Sequence, residues 1–257
     1  MATKIRFLGV AAFEITSRNG VVALVDPYLE NAASPISASD LERVDLVLVT
    51  HAALDHLGDA AKISKKFDAP VICGAEVKAH LTREGVRADK IMPIIWGLTL
   101  DVAGMRVRSV ESRHHSSITE PDGTYYSGQP MGFIIYPDPG VRIYHAGDTA
   151  LFSDLKLIGQ LYRPNIGLIQ VTNPTLHLAH HNMPNYLTSE MSPYEAVLAA
   201  QWLCLEYVIP MHFDTDDEPA DVRTFVDLLN KMTSDDKPPI KPVVLKPGEV
   251  FQIEGKE

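Results

Sequence analysis

The sequence predicts an α/β fold in which two sheets pack together with helices outside. Three observations predict it: strand–helix–strand alternation at both ends of the chain, strand-like segments grouped in the middle, and short apolar runs suited to strands buried on both faces. At 257 residues the chain can bury a substantial core, and 46% hydrophobic residues is an ordinary globular composition. No Gly/Ser or Pro linker and no short-period repeat divides it, so residues 1–257 read as one domain.

The elements follow in order. Residues 4–16 and 21–26 are strand-like and flank the turn signal Ser17-Arg18-Asn19-Gly20, which reads as a hairpin. Asp45-Leu46-Val47-Leu48-Val49-Thr50 suits a buried strand. Over 57–67 the spacing of Leu57, Ala60, Ala61 and Ile63 predicts an amphipathic helix, and 70–73 returns as a strand. Residues 98–102, 105–111, 132–136 and 141–145 are β-like, with Gly, Pro and Asp turns between them. The last third alternates: helix 152–162, strand 166–171, helix 196–205, strand 207–211, helix 222–232. Ser192 is a good N-cap for the second of these helices, with Pro193 at its first position and Glu195 three beyond the cap.

Composition narrows the function. Lys plus Arg number 23 against 33 Asp plus Glu, a formal charge of −10, which argues against a nucleic-acid or anionic-membrane binder. No run approaches the roughly 18 apolar residues of a spanning helix, and the N-terminus enters a strand pattern without a secretory core. Cys73 and Cys204 are too far apart to suggest a disulfide framework or a thiolate metal site; each reads as a packing residue, as do Trp96 and Trp202. A cytoplasmic protein acting on a small molecule is expected.

Three apolar strands end directly in metal-capable side chains: Leu46 to His51, Ile143-Tyr144-His145-Ala146-Gly147-Asp148, and Val208-Ile209-Pro210-Met211-His212. Ligands at strand ends are held by a rigid sheet while the loops beyond leave room for substrate. Imidazole with carboxylate suits Zn²⁺, Mn²⁺ or Fe²⁺, and the absence of nearby Cys disfavours a closed structural zinc site.

Thr50-His51-Ala52-Ala53-Leu54-Asp55-His56 resembles the T-H-x-H-x-D-H signature of the metallo-β-lactamase superfamily. Leu24-Val25-Asp26-Pro27, His115-Ser116-Ser117, Ala146-Gly147-Asp148-Thr149 and Pro210-Met211-His212-Phe213 resemble its other motifs in order. Tyr144 to Thr149, followed by Phe152-Ser153-Asp154, looks most like the small hydrolases related to ascorbate-6-phosphate lactonase. The resemblance implies a four-layer αβ/βα sandwich of two mixed β-sheets with helices outside. It also implies one metal position with His51 and His115, a second with Asp55, His56 and His212, and Asp148 bridging them. His114 beside His115 leaves the register of that ligand open by one. Asp26 and His145 are expected behind the ligands, orienting them. In such a site the metals acidify a shared water and polarise the scissile bond, with Asp55 and Asp148 as the catalytic carboxylates. Relatives of this kind are often oligomeric, so a homo-oligomer is an open expectation.

Two departures from the pattern stand out. Ala53 occupies the place of the signature's second histidine, and Val10 a place where close relatives often carry one. Three outcomes are open: a three-ligand site, a single ion at Asp55, His56, His212 and Asp148, or a substitute ligand from the His177, His180 and His181 segment. The leading expectation is a metal-dependent hydrolase, with zinc first among its metals, that uses a metal-bound hydroxide on a lactone, ester, amide or phosphoester. The alternatives are a non-hydrolytic iron or manganese enzyme on the same fold and a scaffold that has lost its chemistry. The run Asp214-Thr215-Asp216-Asp217-Glu218 reads as a solvated loop.

Overall fold

The computed structural model describes residues 2–171, 190–213, 219–232 and 238–255. The first half lays down β1 (Thr3–Phe7), β2 (Phe13–Thr16), β3 (Val22–Val25), β4 (Leu46–Leu48), β5 (Val71–Cys73) and β6 (Ile91–Pro93) as neighbours in one sheet. The first three pair antiparallel and β3 to β6 pair parallel. Three helices interrupt this run: α1 (Leu54–Leu57), α2 (Ala60–Phe67) and α3 (Ala75–Arg83).

The second half builds the other sheet from β7 (Thr99–Val102) and β8 (Met105–Glu111), then, past a small β9 (Ser116–Thr119) and β10 (Tyr125–Gly128) hairpin, from β11 (Met131–Tyr136), β12 (Ile143–His145), β13 (Ile166–Gln170), β14 (Tyr207–Met211) and β15 (Lys241–Pro242). Helices α4 (Leu155–Tyr162), α5 (Pro193–Trp202) and α6 (Ala220–Lys231) accompany it, and β16 (Val250–Ile253) returns to the edge of the first sheet beside β1. Among the described residues, each large sheet has seven strands. The result is the expected arrangement of two mixed sheets packed together.

Strand periodicity explains the layering. Leu46 and Leu48 of β4 face the core shared with Phe133, Ile135 and Ile143 of the second sheet. Val47 and Val49, one residue out of phase, join Leu57, Ala60, Ile63, Val77 and Leu81 in a separate core under α1 to α3. In β5, Ile72 belongs to the first core while Val71 and Cys73 belong to the second. A strand that feeds two cores has no polar face, and for that reason 46–49 reads as an unbroken apolar run.

The helices expected over 152–162 and 196–205 are found at Leu155–Tyr162 and Pro193–Trp202, and two further differences bear on the site. Residues 4–16 are two strands, because Gly9 and Val10 take positive φ angles of 96° and 52° and turn the chain so that Ile5 pairs with Ile15. The helix expected over 57–67 is divided by Gly58 and Asp59 into α1 and α2. The α5 cap is as read: the Ser192 side chain accepts from the Glu195 backbone N–H, and Glu195 accepts from that of Ser192.

The parallel pairings of β3 with β4 and of β12 with β13 and β14 put the C-terminal ends of these strands at one rim of each sheet. Strand β8 runs parallel to β12, since both are antiparallel to β11 between them. The two rims are tied together. The Met131 N–H donates to the Thr50 carbonyl, Val10 donates to Phe213, and His212 donates back to Val10.

Candidate metal centre

The rim collects the loops after β3, β4, β8, β12 and β14, and with them Asp26, His51, Asp55, His56, His114, Asp148 and His212. The innermost layer is Asp26 with Thr50. The Asp26 carboxylate is buried and accepts from the Thr50 backbone N–H (2.8 Å), from the Thr50 hydroxyl (2.7 Å) and from His56 Nδ1 (2.7 Å). With its hydrogen given to Asp26, the Thr50 hydroxyl is left to accept from His51 Nδ1 at 3.0 Å. Both imidazoles therefore hold a proton on Nδ1 and turn Nε2 toward the centre, which leaves Nε2 as the atom a metal would take in place of any second proton. Residue 50 was not among the sequence-expected site residues, although it stands beside His51 in the signature.

Asp148 sits where these nitrogens converge. Its Oδ2 lies 3.1 Å from His56 Nε2, 3.3 Å from His212 Nε2 and 3.9 Å from His51 Nε2. Gly147 makes this approach possible, with φ at 57° and a place where an added Cβ would lie 2.8 Å from the Thr50 Cβ. Asp55, on α1, lies 3.5 Å from His212 and 4.0 Å from His56, and its side chain is 17% exposed where Asp148 is 4%. The site thus opens to solvent past Asp55. Three backbone positions around it are left-handed without being glycine: Val10, Asp26 and His212, the last at φ 76°. Strain of this kind is held only where the surrounding structure fixes it.

The electrostatics are those of a cation site filled by protons. Burial alone would lower His212, but Asp148 and Asp55 overcome it and raise its pKa to about 10. For His56 burial is likewise outweighed by Asp148, Asp26 and Asp55, which hold it well above the ordinary value. Asp148 is well below the carboxylate range, because His212 and His56 outweigh the effect of burial. His51 is held neutral, first by burial and then by the charge on His56.

The expected ligand His115 is exposed, and its neighbour His114 turns inward instead, with Nε2 3.9 Å from Asp148 Oδ2 and its ring 5.1 Å from that of His51. The cause is a clamp between two loops. The Arg113 N–H donates to the Thr149 hydroxyl, Ala150 donates to the Arg113 carbonyl, and the Ser112 hydroxyl donates to the Asp148 carbonyl. This fixes 112–114 against 148–150 and puts residue 114 on the inner side. His145 stands behind the cluster, with Nε2 at 3.0 Å from the Ala11 carbonyl and Nδ1 accepting from the Gly147 N–H. His177, His180, His181 and the acidic run 214–218 lie outside the described residues. Glu190, which the sequence reading did not single out, is buried beside His114 and Asp148.

A divalent cation suits this donor set. His51 Nε2 and Asp148 Oδ1 are fully buried without a hydrogen-bond partner among the described residues, a costly arrangement unless something else satisfies them. Ligand atoms of His51, His56 and Asp148 lie within 4.8 Å of one another, as do those of Asp55, His56 and His212, and those of His114, Asp148 and Glu190. Mixed imidazole and carboxylate without thiolate matches zinc, manganese or ferrous iron.

Comparison with known proteins agrees with this geometry. Residues 22–213 match the family model described as the β-lactamase superfamily domain. The chain is 36% identical over 215 residues to a UPF0173 metal-dependent hydrolase of Rubrobacter xylanophilus, covering 83% of this chain and 82% of that protein. It is 33% identical over 255 residues to another from Methanosphaera stadtmanae, covering 98% and 100%. Among solved structures it is similar to a metallo hydrolase from the hyperthermophilic archaeon Ignicoccus hospitalis, at 28% identity and a TM-score of 0.75 over the whole of both chains.

Proposed function

Because the chain belongs to the β-lactamase superfamily domain family, whose curated relatives are metal-dependent hydrolases, we propose that it hydrolyses a small polar substrate at this rim. The bond cleaved is a lactone, ester, amide or phosphoester. The observation that carries the reading is the pair of Nε2 atoms of His51 and His56, aimed at Asp148 by the Asp26–Thr50 pair behind them. Asp55, His56, His212 and Asp148 would hold one cation, zinc first among the candidates, and His51, His114 and Asp148 a second. A cation bound there supplies Lewis acidity, which acidifies a water and polarises the bond to be broken.

The chain's own residues do the rest. Asp26 and Thr50 keep the ring protons of His51 and His56 away from the centre. Asp148 lies between the two groups of ligands and holds both to one geometry. Asp55, the carboxylate nearest solvent, is placed to take the proton released by the attacking water and to pass it outward or to the leaving group. No helix among the described residues is long and apolar enough to cross a membrane.

The test is metal analysis of the purified chain, with turnover on an ester, lactone, amide and phosphodiester panel. Bound metal and activity on one class, both lost in Asp148→Ala and His212→Ala, is the expected result. Activity that survives both substitutions in metal-free protein refutes the proposal.

A further inference from the structure

We propose that Glu190 completes the cation position that Ala53 leaves short, so that its ligands are His51, His114, Asp148 and Glu190, with a carboxylate in place of the signature's second imidazole. The inference rests on the reading of this rim as a metal centre. The Glu190 residue is only 6% exposed, and one of its carboxylate oxygens lies within 4.8 Å of both an Asp148 oxygen and a His114 nitrogen. Two carboxylates and an imidazole drawn this close together are a donor set that a divalent cation can share. His51 joins this group through Asp148: its ring is 5.1 Å from that of His114 and nearly perpendicular to it, and its Nε2 is 3.9 Å from Asp148 Oδ2.

The local fold holds Glu190 there. Met191 after it is wholly buried, and Ser192 is the N-cap of α5 with a full capping box. The segment leading into that helix is therefore pinned within two residues of the carboxylate. His114 is pinned equally by the clamp between 112–114 and 148–150. Ala53, which begins the turn of α1, has no side-chain donor to offer a cation, and Glu190 approaches from the segment that leads into α5 instead.

Exchange of imidazole for carboxylate makes the donor set harder and more negative. Oxygen-rich sites favour manganese relative to zinc more than imidazole-rich ones do. The position is therefore expected to discriminate less strongly between Zn²⁺ and Mn²⁺ than the three-histidine site of the signature.

The test uses the whole chain stripped with chelator, then equilibrium dialysis against Zn²⁺ or Mn²⁺ with elemental analysis, and melting with and without metal. The wild-type chain is expected to hold two Zn²⁺. Glu190→Gln, which keeps shape and loses charge, should hold one tightly and bind the second about tenfold or more weakly. Ala53→His added to Glu190→Gln should restore the second ion, and the ratio of Mn²⁺ to Zn²⁺ affinity there should fall about tenfold. If Glu190→Gln does not fold without metal, Glu190→Asp serves in its place, with an intermediate loss expected. Two ions at unchanged affinity in the Glu190 variant, a single ion in the wild-type chain, or an unchanged metal ratio in the double variant overturns the inference. A chain that binds no ion at all removes the hydrolase reading too, whereas one tight ion indifferent to Glu190 leaves that reading standing.

Discussion

Asp26→Asn isolates the effect of ring tautomer on metal affinity. The side chain keeps its shape, so its carbonyl oxygen can still accept from the Thr50 backbone N–H. Its amide, however, now stands where a carboxylate oxygen accepted from both the Thr50 hydroxyl and His56 Nδ1. Two of those donors would face a third. Relief comes if His56 moves its proton to Nε2 and accepts from the amide through Nδ1, but Nε2 is the nitrogen that faces Asp148. A cation must then displace that proton and restore the donor conflict. Changes behind a metal ligand cost about 10- to 100-fold in affinity, which corresponds to about 1.4–2.7 kcal/mol. Chelator competition at fixed pH measures this, with melting of the metal-free variant as the control for folding. An affinity within about twofold of wild type in a folded variant would show that Asp26 does not set the His56 tautomer.

The centre should also respond to pH. His212, ordinarily near 6.5, is raised to about 10 when no cation is bound, so its ion pairs contribute stability to the metal-free chain that is complete below about 6.5 and lost as pH rises through about 10. Protons compete for the same nitrogen, so apparent metal affinity should rise about tenfold per pH unit for each proton displaced; chelator competition between pH 6 and 9 checks this, and a flat profile refutes it. His114→Ala should lower metal stoichiometry while His115→Ala leaves it unchanged, and the reverse pattern in elemental analysis would return the ligand to residue 115. Ser192→Ala removes the N-cap acceptor of α5 and should cost about 1 kcal/mol in urea denaturation; no change in midpoint would mean that the cap does not hold that helix end.

Much of the candidate centre was legible because its side chains follow strands. Val47, Leu48 and Val49 are apolar on both faces, which marks a buried strand, and the first polar residues after it must lie at the rim. The same logic located Asp148 and His212. It does not decide between His114 and His115, a register the resemblance left open by one, because β8 is an alternating strand that ends at Glu111 and not an apolar run leading straight into the site. There the orientation is set by hydrogen bonds from Ser112 and Arg113 to a segment some 36 positions away, which no local pattern reports. Glu190 was missed for a related reason. It precedes a clear cap, and an acidic residue before a helix ordinarily means only a favourable dipole. The break between β1 and β2 was hidden because Val10, a β-branched residue that suits a strand, sits at φ 52° in the turn.

The reciprocal bonds between Val10 and the pair His212–Phe213 stitch the hairpin of one sheet to the last ligand-bearing loop of the other. Since the stitched residue is itself a ligand candidate, the sandwich cannot gape at this edge without dragging an imidazole along. The amide hydrogens of Val10 and His212 close the same stitch, so their exchange with deuterium is expected to slow together when the two layers are held at this edge.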